Sequence, residues 1–403
     1  MNEDLLKGKA PDDVQLLKSI TVGADYLTDF LDKRYLDDYI LHGGSKIKFI
    51  TGRPGSGKTH ISRLILNDAK EKGYITVTFS AKDVWLNDFR EIYLEILRQC
   101  DLKNILEGCA EKIIRDMGYD PGEIREGSCF LDLLSEKHEA DAISKGTIRS
   151  MLREMYTKNP LMDNSFAGCC SLLTGAILGH PVLEKSNQEI IFAFMHGDKT
   201  VSLSQMRALG LSPARITKYN ARHLLRSLSE LIHLSGKKGL IVSIDDMEVL
   251  QNKNGEGMIR YTKLRREDTY ESIRQLIDDI DSMRYIMFIF CFDRELMDNE
   301  SCGLKSYQAL WMRIQNEVVS TRFNCFADMI DLDRFADQIY TPDILVMMSE
   351  KLCTEASKQG YSGQLLNIGE AEKLIKKAEY GGLGLPYIVN RAVLTNEGGE
   401  TDV

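Results

Sequence analysis

The sequence predicts an α/β fold: a parallel sheet flanked by helices, with a large helical insertion and a helical C-terminal segment. Three stretches carry this reading. Residues 50–60 read ITGRPGSGKTH, a glycine-rich loop set between a short apolar run and a segment of helical period. Residues 240–246 read LIVSIDD, an apolar run closed by two acids, and residues 285–292 read YIMFIFCF, the most strand-like run in the chain. Continuous apolar runs that alternate with helical patterns indicate parallel strands buried on both faces.

The elements follow in order. Residues 13–41 carry apolar positions at helical spacing, as in VQLLKSI and YLTDFLDKRYLDDYIL, and stop at His42-Gly43-Gly44. The run Ile47–Thr51 predicts a first strand, and SRLILNDAKEKG behind the loop predicts a helix with a glycine stop. YITVTFSA, rich in β-branched and aromatic residues, predicts a second strand. Residues 88–200 are mostly helical in pattern, with glycine and proline breaks near 118–122, 159–160 and 179–181, and carry no motif. A helix near 220–234, the strand ending at Asp245, a helix over 269–282 and the strand at 285–292 come next. From about Thr341 the pattern is helical again, through GGLGLPYIVNRAV to a polar tail. The organisation predicted is an N-terminal helical linker (1–44), a nucleotide-binding core (45–99 and 201–335), a helical insertion (100–200) and a C-terminal helical domain (336–403).

Composition narrows the class. With 403 residues the chain is long enough for two or three domains. Its 51 basic and 60 acidic residues give a net charge of −9, which argues against coating nucleic acid by bulk charge but leaves a local basic patch open. No apolar run approaches the roughly 20 residues of a membrane span. The opening MNEDLLKGKAPDD lacks the order of a signal peptide, and the nine cysteines show no CxxC spacing, so a reduced, cytoplasmic setting is expected.

The loop carries the first chemistry. Gly52, Arg53, Pro54, Gly55, Ser56, Gly57, Lys58 and Thr59 fit G-x-x-x-x-G-K-[ST] with no mismatch, and His60 follows. Glycines let successive backbone N–H groups turn inward around phosphates, and the next helix aims its positive end there. Lys58 is expected to reach the β- and γ-phosphates and Thr59 to offer its hydroxyl to Mg²⁺. The nucleotide expected is ATP, with GTP the second choice. Asp245, at the end of a buried strand, is the second candidate for the metal; Asp246 is the candidate to orient and deprotonate water, with Glu248 as a competing base. Asp293-Arg294, after the later strand, stands where a polar group would sense the γ-phosphate, although a simple turn accounts for it equally well. Arg313 and Arg322 are candidate arginine fingers towards a neighbouring subunit, and Arg391 a candidate phosphate contact. Lys263-Leu264-Arg265-Arg266 reads most simply as a solvated helix face. The histidines lack paired ligand spacing, so no metal beyond Mg²⁺ is called for.

The order TVGAD (21–25), GGSKIKFITGRPGSGKTH (43–60) and GLIVSIDDMEVL (239–250) resembles the bacterial P-loop ATP-binding proteins of bacteriophage-exclusion (BREX) defence loci. SIRQLIDDID, YIMFIFCFDRELMD and SYQALWMRI fit the same family; residues 100–200 show no likeness. The resemblance implies an additional-strand, AAA+-like P-loop NTPase, its loop strand and acid strand separated by another, and a helical lid from about residue 340. It implies an adenine contact for the TVG segment, and other defence-system proteins as partners. This chain departs from the family at Asp246, where glutamate is the commoner residue; the shorter acid sets water about one methylene further away and implies slow turnover.

The leading expectation is therefore an ATP-binding and ATP-hydrolysing switch in a multi-component anti-phage system, able to self-associate and to act on DNA indirectly, with no membrane partner. A nucleotide-gated scaffold with little hydrolysis and a DNA loader or translocating motor are the alternatives.

Overall fold

The strands of the sheet are β1 (Ser45–Gly52), β2 (Ile75–Ser80), β3 (Leu240–Asp245), β4 (Ile286–Asp293) and β5 (Met329–Asp331). They run parallel in the order β2-β3-β4-β1-β5, so β4 separates β1 from β3. The structure is a computed structural model that describes residues 7–251, 260–314 and 323–394. Four of the strands coincide with the apolar runs. The fifth, only three residues long, has no sequence pattern of its own.

Side-chain alternation sorts each strand between two cores. Ile286, Phe288, Phe290 and Phe292 of β4 join Leu240, Val242 and Ile244 of β3 on one face. Met287, Ile289 and Cys291 join Ile241 and Ile50 on the other, against Ile61, Leu64 and Ile65 of the helix Lys58–Glu71. That second face is closed by the N-terminal helices Val14–Ile20 and Asp25–Leu31, the latter running into a π-helical stretch, Asp32–Tyr39. The N-terminal helical run is broken at residues 21–24, where Gly23 takes φ +75°.

The helices between β2 and β3 do not stand apart. Phe89–Gln99 and Ala221–Leu234 cover the first face of the sheet, and Leu102–Asp116 and Asn164–Leu178 pack on them in the same apolar core. The helices Pro342–Lys358, Ile368–Tyr380 and Leu385–Leu394 build a separate core around Leu345, Leu352, Val389 and Val393, which also takes in Leu16, Ile20 and Val22. No helix among the described residues is long and apolar enough to cross a membrane.

β5 is held by an unusual device. Lys48, in the middle of β1, is buried, and its ammonium donates to the carbonyls of Phe326 (3.0 Å) and Ala327 (2.7 Å), lies 3.5 Å from the Asp328 carboxylate and sits over the Tyr35 ring. Removing one partner of such a buried set leaves the others desolvated and unpaired. Lys48→Ala is expected to destabilise the fold by about 3–5 kcal/mol. Lys46→Ala, which removes a more exposed partner of the same Asp328, costs about 1 kcal/mol or less. Chemical denaturation of the two variants side by side checks the difference.

Candidate functional site

The glycine loop folds as its spacing requires. Gly57 caps the helix Lys58–Glu71 at φ +95°, a conformation that a Cβ disfavours, and Gly55 takes φ +78°. A Cβ at Gly52 would lie 2.4 Å from the Ser56 hydroxyl oxygen, so the loop closes tightly on itself. Lys58 points back across the loop: its ammonium donates to the carbonyls of Gly52 (3.2 Å) and Arg53 (3.1 Å) and to Asp293 Oδ1 (2.7 Å). Thr59 Oγ1 donates to Asp245 Oδ2 at 2.6 Å. One turn on, the hydroxyls of Ser62 and Ser243 meet at 2.6 Å, tying this helix to β3.

The acids beside β3 occupy contrasting environments. Asp246 takes the left-handed conformation (φ +59°) and accepts hydrogen bonds from Ser80 Oγ and Lys82 Nζ, both at 2.6 Å. Burial pushes its carboxyl up, but the bonds from Lys82 and Ser80 outweigh this and hold it below the usual carboxylate range. Glu248, in the short turn Met247–Leu250, is pushed up to about 7, chiefly by burial and then by the charges of Asp293 and Asp246. Two acids two residues apart are thus separated in proton affinity by their surroundings.

Gly55–Thr59, Ser80, Lys82, Asp245 and Asp246 line a cavity of about 740 Å³, while Glu248 and Asp293 lie outside its lining. Ile20, Val22, Phe335, Tyr340, Met348 and Leu352 supply apolar parts of the same wall. His60 and Thr21 lie in the wall as well, with Thr21 Oγ1 2.7 Å from His60 Nε2. Burial, then the charge of Arg63, pushes His60 down to about 4. The TVG segment therefore borders the same cavity as the loop.

The remaining predicted residues divide. Gly52 (the buried last residue of β1), Arg53 and Pro54 do not line the cavity. The Arg53 side chain turns to Asp333 and to the carbonyls of Ala378 and Gly381. Arg294 is occupied by Asp331 (2.5 Å) and Asp333 (2.8 Å), so of the pair after β4 it is Asp293 that faces Lys58. Arg313 lies away from the cavity, paired with Asp278 at 2.5 Å and bonded to the Ala309 carbonyl. Arg391 lies in the last turn of the helix Leu385–Leu394, outside the cavity wall, and Arg322 falls outside the described residues.

Sequence reasoning missed Ser80 and Lys82. They end an apolar strand, and nothing local announces that they meet an acid more than 160 residues away. From the C-terminal helix it singled out Arg391, whereas other residues of that segment meet the loop and the cavity. Gly384 N–H donates to the Pro54 carbonyl (2.8 Å) and Tyr387 N–H to that of Gly55 (3.2 Å), while Pro386, Tyr387 and Asn390 border the cavity.

The family model described as BREX system ATP-binding protein BrxC/D matches residues 3–342. The chain belongs to the BREX system ATP-binding protein BrxC/D family. It is accordingly an ATP-binding component of a BREX anti-phage defence system, as the sequence resemblance implied. The BrxC/D match ends at the first residue of the helix Pro342–Lys358, so the rest of the C-terminal helices lie beyond it. No curated protein matches the chain.

The split acids give a pH test. Because the folded-state value of Glu248 (about 7) stands above its ordinary 4.5, the folded protein holds the proton more tightly. That stabilisation is complete below pH 4.5 and is lost as pH rises through 7. Glu248→Gln mimics the protonated acid and is expected to be more stable than the native protein at pH 8 by about 1–3 kcal/mol, with little difference at pH 4.5. Thermal unfolding midpoints at the two pH values test this.

Proposed function

We propose that this BREX ATP-binding protein is a Mg²⁺-dependent ATPase of the P-loop, AAA+-like class that acts as a switch, with ATP in the 740 Å³ cavity. The observation that carries the reading is the 2.6 Å bond from Thr59 to Asp245, which joins the last residue of the loop motif to the acid at the end of β3. A hydroxyl and a carboxylate are hard oxygen donors of the kind Mg²⁺ takes alongside water and phosphate oxygens. Mg²⁺ held there would supply charge neutralisation of the β- and γ-phosphates.

The protein's own groups supply the rest. Lys58, now on Asp293 and two carbonyls, is the cation for the phosphates, and phosphate oxygens would replace those partners. Asp293 lies at the same spot and is suited to register the γ-phosphate. Asp246, held ionised, orients the attacking water, and Glu248, near neutrality in its proton affinity, receives the proton. The apolar part of the cavity wall, with Ile20–Val22, suits the adenine ring. The C-terminal helices, bonded to the loop through Gly384 and Tyr387, act as the lid that reads nucleotide state.

A nucleotide-gated scaffold is the second reading. It is favoured by Lys82, which pairs with Asp246 and keeps that acid engaged.

Lys58→Ala is expected to weaken ATP binding by at least about 100-fold, followed with a fluorescent ATP analogue; each 1.4 kcal/mol lost is tenfold. Asp246→Asn and Glu248→Gln should retain binding and lower single-turnover hydrolysis by about 10²–10⁴. Normal ATP hydrolysis by purified Lys58→Ala protein would falsify the site assignment. Absence of product from the native protein in single turnover, with ATP bound, would leave the scaffold.

A further inference from the structure

Close in sequence to Ser80 and Lys82 of the cavity wall, Trp85 gathers a basic cluster that the ATPase reading does not use. Trp85, on the segment between β2 and the helix Phe89–Gln99, has the guanidinium carbons of Arg260 and Arg265 each 4.6 Å from its ring centroid. Lys263 and Arg265 are exposed and Arg266 half-buried. Lys263 has Glu267 at 3.9 Å, whereas Arg260, Arg265 and Arg266 have no carboxylate partner among the described residues. Asp83, Glu267 and Asp268 are the nearby exposed acids in sequence. A guanidinium stacked on an aromatic face leaves its in-plane N–H groups for the fork that fits phosphate oxygens, as at exposed Arg265; Arg260 is half-buried and its Nε is shielded from solvent. The cluster also sits against local electrostatics, because Lys263, Arg265 and Arg266 fall in the first turn of a 17-residue helix that has no acid in that turn. Cations there oppose the helix dipole, and an external anion would offset that repulsion.

The surface is wired to the site. Tyr261, next to Arg260, is buried; its hydroxyl accepts from Leu86 N–H (3.0 Å) and donates to the Val84 carbonyl (3.3 Å), and its ring lies 5.3 Å from that of Trp85. The segment so clamped begins at Ser80 and Lys82, the two residues that hold Asp246.

We propose that Arg260, Lys263, Arg265 and Arg266, ordered around Trp85, bind the phosphate backbone of nucleic acid, and that this contact acts through residues 80–86 to loosen Lys82 and Ser80 from Asp246. A repeating phosphate backbone fits several guanidinium and ammonium groups spread over one face, and it would be gripped here despite the chain's net charge of −9. The coupling half rests on the reading of Asp246 as the water-side acid. The binding half does not.

The test uses the full chain and a fluorescein-labelled 30-base-pair DNA duplex, titrated without nucleotide over a salt series. Lys263→Glu/Arg265→Glu reverses two exposed charges at a helix end where acids favour the helix, so folding is preserved. Lys103→Glu/Arg115→Glu, on exposed sites of the helix Leu102–Asp116, is the charge-matched control. The native protein and the control should bind with a steep salt dependence. The patch variant should bind at least tenfold more weakly, with a salt slope smaller by about 2. Equal binding by patch variant and control, or no salt-dependent binding by the native protein, overturns the assignment. Equally effective competition by polyglutamate would mark the patch as a site for acidic protein and overturn it also. For the coupling, DNA should raise ATP turnover of the native protein and not of the patch variant, whose turnover without DNA is unchanged. Stimulation that survives in the patch variant overturns the coupling. A native protein that binds DNA but hydrolyses no ATP fails the ATPase reading and not the DNA site.

Discussion

Because Gly52 pairs opposite Asp293, Ser80 opposite Asp245 and Ile244 opposite Phe290, the four parallel strands end within two residues of one another and deliver their polar residues to one edge of the sheet. Every contact at the site follows from that register. Asp293 meets Lys58, Asp245 meets Thr59, and Ser80 meets Asp246, although the members of each pair lie between 166 and 235 residues apart in sequence. A slip of one residue in any pairing would turn the acid towards the opposite face and bury a charge in an apolar core. The two-sided burial of β3 and β4 is what forbids the slip. In this sense the hydrophobic effect positions the carboxylates, and hydrogen bonds only finish the placement.

The electrostatics at that edge form two linked groups. Inward, two cations, Lys58 and Lys82, flank three acids, Asp293, Glu248 and Asp246, and the charges of Asp293 and Asp246 both raise the proton affinity of Glu248. Outward, Asp333 accepts from the Arg53 backbone and pairs with the side chains of Arg53 and Arg294, while Asp331 takes the other side of Arg294. The loop is thus stapled to the residues just after β5. The buried Lys48 that fixes β5 supports the site from a distance.

Much of this was legible in the sequence, for a definite reason. Long runs such as IMFIFCF report burial on both faces directly, and the loop motif reports a backbone shape that only glycines permit at Gly57. The three-residue β5 carries too little pattern to be seen. The helices of residues 100–200 were readable as helices, but apolar periodicity does not say which core a face will join, and here it is the core of the sheet. The partners of Asp246 were hidden because pairing across a parallel sheet is set by crossover topology. Arg53 was read as part of the cradle because the motif leaves that position open; its side chain faces the C-terminal helices.

Gly384 carries one more consequence. A Cβ there would lie 2.4 Å from the backbone nitrogen of Ser56, so loop and C-terminal helix touch backbone to backbone with no side chain between them. Such a contact has no rotamers with which to absorb a mismatch. On the proposed reading of the loop as the ATP site, a protein docked on the C-terminal helices and a nucleotide in the loop would bias one another, and linkage would make the effect reciprocal. A defence partner that grips those helices would hold a handle on the ATP site without ever approaching the phosphates.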